Sequence, residues 1–285
     1  MKNINNLVPD IYAVLDGKTK VTEGDTKELS ELLASTISQK LSHGDQKGEL
    51  RMSNFGTPCK RKLWYTVNLP GAAEPLQPWA RFKFLYGDIL ETLVLWLAKK
   101  AGHKVEGEQD ELVLEGIKGH RDAIIDGVTV DVKSANSRGM HKFKDHTLER
   151  DDPFGYLDQL SLYAHASRDD ERVAVKREAA FLAVDKELGH LVLDKYKVKE
   201  ITDEEIDDRK RMVSSDDPPR RHYTPESDGA SGNTKLPVAC SYCQFKKECW
   251  KNSNGGKGLM GYLYSTGPRW LTHVAREPNV PKLDE

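Results

Sequence analysis

Two acidic residues and a lysine in the middle of the chain have the spacing that metal-assisted hydrolysis would need. In the segment 128–133 three valines alternate with polar residues, among them Asp131 and Lys133. Successive side chains of a strand point to opposite faces of a sheet, so the valines face a core and Asp131 shares the other face with Lys133. The preceding Asp126-Gly127 pair predicts a two-residue hairpin turn.

That turn would bring a second carboxylate to Asp131. If residue 125 pairs with residue 128, Asp122 lies directly opposite Asp131, with β-carbons about 5 Å apart. Like charges in this position destabilise a sheet, and a divalent cation would offset their repulsion. Mg²⁺ binds through one or two carboxylates plus water and phosphate oxygens, and Lys133 could polarise a metal-bound water. The alternative is an exposed ion pair on a strand, because Asp-x-Lys also occurs at several other places in the chain.

Polar side chains on two predicted helices extend this candidate site. Glu91 lies among apolar residues of a helix predicted over about 81–101, so its carboxylate either borders a core or reaches water from the helix edge. On a helix predicted over 155–167, one stripe at helical spacing is formed by Tyr156, Gln159, Leu160 and Tyr163. Core packing explains Leu160 but not Gln159, because a buried amide needs hydrogen-bond partners.

The four cysteines have the distribution of a metal site. Cys240, Cys243 and Cys249 lie within ten residues, and Cys59 lies far upstream. Four thiolates suit either zinc or a [4Fe–4S] cluster, and the spacing alone does not decide between them. Four free thiols are the remaining alternative, which the polar residues 246–248 in the same loop disfavour.

Cations occur beside an aromatic residue in the segment 134–155, between the predicted strand and the later helix. This mixture suits single-stranded nucleic acid, through phosphate contacts and base stacking, and a solvated surface loop is the alternative. A second basic segment covers 60–62. The predicted nucleic-acid contacts are Arg61, Arg138, Lys142, Phe143, Lys144 and Tyr156.

Composition excludes several classes of protein. The 285 residues include 43 basic and 45 acidic side chains, a net charge of −2, which argues against coating nucleic acid by bulk charge. The most apolar stretch, 82–98, is interrupted by charged residues, and the first ten residues lack a secretory pattern. We therefore expect a cytoplasmic protein with no membrane partner. No phosphate-binding loop of a motor is present.

The pattern of periodicities predicts a mixed α/β chain. Residues 1–23 give little signal, and a helix is predicted from Asp25 onward. Strands are predicted over 104–114 and 117–134, two more over 177–196, and a linker over 214–236. We divide the chain into an N-terminal helical extension (1–50), a core with the cysteines (51–254) and an aromatic tail (255–285).

The order of these motifs resembles a known family. Glu91, Asp122, Asp131-Val132-Lys133 and the Gln159-x-x-x-Tyr163 element fall in the order of the PD-(D/E)XK nucleases of RecB type. Cys59 followed by the segment 61–65, together with Cys240-x2-Cys243-x5-Cys249, is similar to its iron–sulfur subgroup. That subgroup includes the AddB nuclease domain and the RecB-like nucleases of CRISPR adaptation. The resemblance covers roughly residues 53–250.

This resemblance implies a restriction-endonuclease-like core: a helix, a three-stranded antiparallel meander, a helix and a strand. It implies that a catalytic Mg²⁺ or Mn²⁺ is held by Glu91, Asp122, Asp131 and the carbonyl of Val132. Lys133 would orient the attacking water, and Gln159 and Tyr163 would position the DNA strand and the lysine. Glu91 departs from the family pattern, since many relatives carry His at this position. The four cysteines would hold a [4Fe–4S] cluster, with zinc as the alternative.

The function implied is a metal-dependent DNA exonuclease that acts on or generates single strands. Compact nucleases of this kind resemble phage-encoded exonucleases, so roles in phage recombination, replication or host-DNA degradation are expected, in the host cytoplasm. The resemblance implies DNA, single-stranded or with free ends, as the partner, and leaves open a recombination or replication protein and a second copy of the chain as further partners. The rival interpretations are a structure-specific endonuclease with a zinc site and a non-catalytic DNA-binding recombination partner.

Overall fold

The computed structural model describes residues 2–42 and 48–283, and residues 43–47, inside the predicted extension, lie outside that part. The helices along the described chain, apart from short 3-10 turns, are α1 (Leu7–Leu15), α2 (Glu23–Leu41), α3 (Met52–Phe55), α4 (Lys60–Asn68), α5 (Pro78–Lys100), α6 (Ser137–Lys144), α7 (Tyr156–Ala166), α8 (Asp203–Val213), α9 (Val238–Ser241), α10 (Lys246–Cys249) and α11 (Ser253–Gly256). The strands are β1 (Val105–Glu106), β2 (Glu111–Leu114), β3 (Ile117–His120), β4 (Ala123–Ile125), β5 (Val128–Ala135), β6 (Glu178–Asp185), β7 (Leu191–Lys197), β8 (Glu226–Ser227), β9 (Thr234–Lys235), β10 (Met260–Tyr264) and β11 (Gly267–His273). The protein is therefore of mixed α/β class, with a helical N-terminus.

A five-stranded mixed sheet forms the centre of the first compact unit. Its strand order is β1-β4-β5-β6-β7. Neighbouring strands are antiparallel except β5 and β6, which run parallel and are connected through α6 and α7. A parallel pair needs such a long crossover connection. Strand β5 thus lies in the middle of the sheet, with neighbours on both edges.

The predicted hairpin is confirmed. Asp126 and Gly127 have φ angles of 49° and 82°, the left-handed values that a tight hairpin turn requires at both central positions. The register pairs Ile125 with Val128 and Ala123 with Val130, as the sequence predicts. The valines of β5 belong to the main hydrophobic core, which includes residues of β4, β6 and α5.

Helix α1 was not anticipated, because residues 1–23 were expected to be irregular. Leu7, Ile11 and Val14 follow helical spacing and are buried in the main core beside α5. Helix α2 begins two residues before the predicted Asp25, because Thr22 and Asp25 form a capping box. The N-terminal segment thus shares the hydrophobic core of the sheet.

The strands before the hairpin differ from the expected continuous meander. Strand β1 pairs with β4. Strands β2 and β3, which lie between β1 and β4 in the sequence, pair only with each other and form a separate two-stranded sheet. Arg121, which directly follows β3, is fully buried. Its guanidinium donates hydrogen bonds to Asp110 at 2.8 Å, Asp170 at 2.9 Å and Ser167 at 2.9 Å. A buried guanidinium needs such partners, and one of the three, Asp110, lies in the segment between β1 and β2.

The division into compact units differs from the three segments expected. One unit comprises residues 1–45, 50–58 and 77–210, and the other comprises 46–49, 59–76 and 211–285. The N-terminal helices share a unit with the five-stranded sheet, because α1 and α2 pack against α5. In the second unit the tail forms the hairpin β10–β11, which joins β9 and β8 in a four-stranded sheet. In the part of the chain described, no helix has the length and apolarity to cross a membrane.

The hairpin turn predicts a measurable difference between two glycines. A β-carbon at Gly127 would lie 2.7 Å from that of Ala174, whereas one at Gly116, which has a similar φ of +77°, meets nothing within 4 Å. Both alanine substitutions strain the backbone, but only Gly127→Ala also overpacks the fold. We expect Gly127→Ala to lower the free energy of unfolding by about 1–3 kcal/mol more than Gly116→Ala, measured by urea denaturation. Equal losses would contradict the described packing.

Candidate functional site

The candidate site is built on β5 and the residue that precedes β4. Asp131 is 1% exposed, and its Oδ2 lies 2.5 Å from the Nζ of Lys133. Asp122 Oδ2 accepts a hydrogen bond of 2.7 Å from the backbone N–H of Val132. The structure therefore brings Asp122, Asp131 and Lys133 together, as the predicted hairpin register requires.

Glu91 joins these carboxylates from helix α5. Its Oε1 accepts a hydrogen bond of 2.6 Å from the Gln109 side-chain amide. The backbone N–H of Gln109 in turn donates to the carbonyl of Asp122 at 3.3 Å. Gln109 has a φ of 55° and lies in the turn between β1 and β2, where the chain leaves the main sheet. This turn places its side chain beside Glu91. The sequence patterns gave no signal for Gln109.

The pKa values of the three carboxylates, here named the acidic cluster (Glu91, Asp122 and Asp131), are all raised, chiefly by burial. Burial is the main cause that raises the pKa of Glu91 to about 7. The hydrogen bond from Gln109 lowers this pKa, and the negative charges of Asp131 and Asp88 raise it further. Burial and the charges of Asp131 and Glu91 raise the pKa of Asp122 well above its ordinary value. Burial also raises the pKa of Asp131, against the attraction of Lys133.

Lys133 is the positively charged side chain beside the acidic cluster. Burial by itself would lower its pKa, but the charges of Asp131 and Asp122 outweigh that effect and raise it. Lys133 therefore stays protonated beside the carboxylates. One ammonium would not balance three ionised carboxylates, which is why proton uptake is favoured in the cluster unless another cation binds.

Helix α7 covers the site with the predicted amide and phenol. The Gln159 amide donates to the Tyr163 hydroxyl at 3.0 Å, and Tyr163 is buried. Burial and then the charge of Asp131 raise the pKa of Tyr163. Both residues predicted on this helix thus belong to the same site, and the phenol remains a neutral hydrogen-bonding group near the carboxylates.

Tyr156 lies at the start of the same helix, with the Lys133 ammonium 5.1 Å from its ring centroid. Phe154 stacks on Tyr156 at 5.2 Å and is 64% exposed. Phe154 was not among the predicted site residues; Gly155, with a φ of 74°, forms the turn that places Phe154 just before the helix. An exposed aromatic ring therefore stands next to the site.

Of the other five predicted nucleic-acid contacts, two are exposed and three are engaged within the fold. Arg138 and Lys144 are exposed, whereas Lys142 forms an ion pair of 2.6 Å with Asp151. The prediction for Phe143 is wrong, because it is 4% exposed and its ring packs edge-on against Phe181 at 5.5 Å. The segment forms helix α6 rather than a loop, which turns Phe143 inward. Arg61, in the other unit, donates to the Pro219 carbonyl at 2.7 Å.

The oxygen atoms of the acidic cluster resemble the ligands that a divalent cation prefers. In the described ranges no three His, Cys, Asp or Glu side chains are arranged to hold a metal ion as they stand. Neither oxygen of Asp131 has a hydrogen-bond partner of regular geometry, although both are buried and Oδ2 faces Lys133. Asp131 Oδ1 has no donor and Oδ2 faces only the Lys133 ammonium, and such buried oxygens suit a hard cation, which prefers oxygen ligands. The chemistry of the acidic cluster therefore fits Mg²⁺ or Mn²⁺, after a shift of side chains.

The four cysteines all belong to the second unit and are half-buried free thiols. Cys59 precedes α4, Cys240 lies in α9, and Cys249 ends α10. Cys243 and Cys249 pack against the buried rings of Trp64, Tyr65 and Phe245, the small core of this unit. We call these four residues the cysteine cluster.

The thiols of the cysteine cluster interact electrostatically. Burial and then the negative charges of Cys243, Cys249 and Cys59 raise the pKa of Cys240 to about 12. Burial raises the pKa of Cys243 too, although the Phe245 N–H and the charge of Lys62 oppose it. A Trp250 hydrogen bond likewise favours the Cys240 thiolate. Among the described residues the four cysteines are not arranged to hold a metal ion as they stand, but hydrogen-bond donors on the Cys240 and Cys243 sulfurs are the kind of outer contact that supports thiolate ligands.

Comparison with known proteins assigns no family to this chain. No protein-family profile matches it, and no curated protein matches it. Among solved structures it is similar to one titled "Crystal structure of SSO0001", with 18% sequence identity. That similarity covers 76% of this chain and 92% of the other, at a TM-score of 0.40, a level that carries no argument about fold or function.

The raised pKa of Glu91 predicts a pH dependence of stability. Its pKa is about 7 in the folded protein against an ordinary value of 4.5. The folded state therefore keeps a proton that the unfolded state loses, and the free energy of unfolding falls as pH rises through that interval. We expect Glu91→Gln to remove part of this fall, on the order of 1–3 kcal/mol, in urea denaturation with EDTA.

The exposed Glu171 provides the control for this measurement. Glu171→Gln should leave the pH profile of unfolding as it is in the wild type. If Glu91→Gln also left the profile unchanged, the carboxylate would not be held in the buried acidic environment described.

Proposed function

We propose that this protein is a metal-dependent deoxyribonuclease, an exonuclease that acts on or generates single-stranded DNA. The observation that carries the proposal is the acidic cluster beside Lys133, covered by Gln159 and Tyr163. Asp131 is buried and Glu91 and Asp122 are half-buried, and a divalent cation that also binds a phosphodiester would relieve the repulsion among the three carboxylates when they are ionised. Structural packing alone gives no reason for such an arrangement.

The residues of the site have distinct roles in this proposal. Asp122 and Asp131 would hold the cation with the Val132 carbonyl, and Glu91 would complete the site while Gln109 fixes its orientation. A bound Mg²⁺ or Mn²⁺ supplies Lewis-acid polarisation of the phosphate and acidifies water. Lys133, kept charged by its neighbours, orients the attacking water or a phosphate oxygen.

Helix α7 supplies the remaining groups. The hydrogen bond between Gln159 and Tyr163 fixes both side chains near Asp131, where they would position the DNA strand. The exposed Phe154, stacked on Tyr156, offers a face for a base at the edge of the site. These groups favour a nucleic acid over a small phosphate ester as the substrate.

The finer architecture is part of the proposal. Helix α5, the antiparallel strands β1, β4 and β5, the crossover helix α7 and the parallel strand β6 follow the order of a restriction-endonuclease-like core. The resemblance of the motifs to RecB-type PD-(D/E)XK nucleases supports this reading, and it supports a cytoplasmic role in phage DNA recombination, replication or host-DNA degradation. The hairpin β2–β3 would then be an insertion.

We further propose that the cysteine cluster holds a [4Fe–4S] cluster with a structural role. The two N–H donors on Cys240 and Cys243 and the nearby Lys62 charge would stabilise sulfur ligands. If all four cysteines bind one metal centre, that centre would link Cys59 to the distant segment that contains Cys240, Cys243 and Cys249. Zinc is the competing occupant.

The nuclease proposal predicts opposite outcomes for two buried aspartates. Asp131→Asn should lower cleavage of end-labelled single-stranded DNA in Mn²⁺ by about a thousandfold or more, with the far-UV circular dichroism spectrum unchanged. Asp194, buried on β7 and bonded to Tyr196 at 2.7 Å, is the matched control. Asp194→Asn should keep cleavage within about threefold of wild type.

Retained metal-dependent cleavage in Asp131→Asn would remove the active-site assignment. DNA binding without cleavage by the wild type in Mn²⁺ would favour the non-catalytic rival. Cleavage of closed circular DNA as fast as linear DNA would favour the endonuclease rival.

The cysteine proposal predicts the metal content of protein purified without oxygen. We expect iron and acid-labile sulfide in equal amounts with a brown colour, because four thiolates bind a [4Fe–4S] cluster. Cys243→Ser should remove most of the iron, while Asp131→Asn should leave it unchanged. A colourless protein with zinc would instead establish the zinc site.

A further inference from the structure

In the acidic cluster, contacts with neighbouring groups use one oxygen of each aspartate and leave the other free. Asp122 Oδ2 accepts a hydrogen bond of 2.7 Å from the Val132 N–H, and the described residues provide no donor to Oδ1. Asp131 Oδ2 lies 2.5 Å from the Lys133 ammonium, while Oδ1 is buried and has no donor. Each aspartate therefore has one oxygen left for a ligand.

Gln109 engages one oxygen of Glu91 in the same way. Its side-chain amide donates to Oε1 at 2.6 Å, and no donor to Oε2 is present in the described part of the chain. The backbone N–H of Gln109 donates to the Asp122 carbonyl at 3.3 Å. The next residue, Asp110, accepts from the buried Arg121 at 2.8 Å. The amide is therefore presented to Glu91 by a turn that is held at two points.

A cation in the acidic cluster would meet one free oxygen from each carboxylate instead of pairs of oxygens. Mg²⁺ and Mn²⁺ take about six ligands in octahedral geometry, and Mg²⁺ keeps several waters among them. Ca²⁺ is larger, takes about six to eight oxygen ligands and often binds both oxygens of one carboxylate. A carboxylate whose second oxygen is held by a donor offers both oxygens only if that hydrogen bond breaks. The donors therefore favour the smaller cations over Ca²⁺.

Among these three donors, Gln109 is the one that can be removed without changing β5 or the lysine. The Val132 donor is a backbone group, and Lys133 has a role of its own in the proposed reaction. Glu91 also has a longer side chain than aspartate, which lets it turn both oxygens toward one cation more easily. The carboxylate that binds Ca²⁺ through both oxygens in EF-hand loops is likewise a glutamate.

We propose that Gln109 is a specificity-determining residue, which keeps Glu91 a one-oxygen ligand and so makes the acidic cluster select Mg²⁺ or Mn²⁺ against Ca²⁺. This inference rests on the proposed function, because it takes the acidic cluster as the site of the catalytic cation. It adds that the choice of cation depends on a residue outside the family motif, in the turn between β1 and β2. Gln109 acts through Glu91 and is thus a positioning residue.

Competition between Mn²⁺ and Ca²⁺ tests this proposal without DNA and without cleavage. Free Mn²⁺ is followed by electron paramagnetic resonance while Ca²⁺ displaces the bound Mn²⁺, and binding that persists in Asp131→Asn is subtracted. Gln109→Met keeps the length of the side chain and removes the donor. We expect it to lower the preference for Mn²⁺ over Ca²⁺ about tenfold, since loss of an outer partner of a metal ligand weakens metal binding by about 10- to 100-fold.

Two further variants complete the test. Gln109→Asn suits the positive φ at this position and withdraws the amide from Glu91 by one methylene, so it should shift the preference in the same direction. Gln39→Met is the matched control, because the Gln39 amide donates to Ser35 on the exposed helix α2. It should leave the preference unchanged. Circular dichroism checks the fold of each variant, and Gln109→Asn decides if Gln109→Met unfolds.

An equal loss of Mn²⁺ and Ca²⁺ affinity in the Gln109 variants would overturn the proposal, because a merely structural role weakens both ions alike. An unchanged preference would overturn it as well. In both cases the wild type still binds Mn²⁺, so the proposed function stands and only the role of Gln109 fails. If the wild type bound neither cation, the metal site of the proposed function would fail too.

Discussion

The repulsion among three carboxylates in a low-dielectric environment is the constraint on which this structure depends. Glu91, Asp122 and Asp131 come from a helix, a loop and a central strand, and burial raises the pKa of each of them. Such a cluster is costly unless positive charge balances it, and Lys133 supplies only one charge. The surrounding fold makes the arrangement possible: the hairpin fixes Asp122 beside β5, and Gln109 holds Glu91 toward the strand.

The parts of the site that could be predicted are those with local signals. The Asp126-Gly127 pair fixes the hairpin register because both turn positions need a positive φ. Continued by one residue beyond β4, that register places Asp122 beside Asp131. The helical spacing of Gln159 and Tyr163 similarly places both side chains on one face of α7. In these cases a few neighbouring residues determine the geometry, so the sequence suffices.

The parts that could not be predicted depend on contacts between distant segments. Gln109 reaches Glu91 only because the chain leaves the main sheet to form β2 and β3, which the buried Arg121 stabilises through partners as far away as Asp170. Phe143 and Phe154 look alike in the sequence, but helix α6 turns the first inward, and the turn at Gly155 leaves the second exposed. The burial of α1 was also missed, although Leu7, Ile11 and Val14 carry helical periodicity.

If the acidic cluster binds a divalent cation, calorimetric titration with Mn²⁺ should show it. Burial raises the pKa of each of the three carboxylates, so a cation that binds their ionised forms lowers these pKa values and releases protons. We expect saturable binding by the wild type, with a heat of binding that changes with the ionisation enthalpy of the buffer because protons are released. Both signals should disappear in Asp131→Asn. Unchanged binding in Asp131→Asn, or no binding by the wild type, would contradict it.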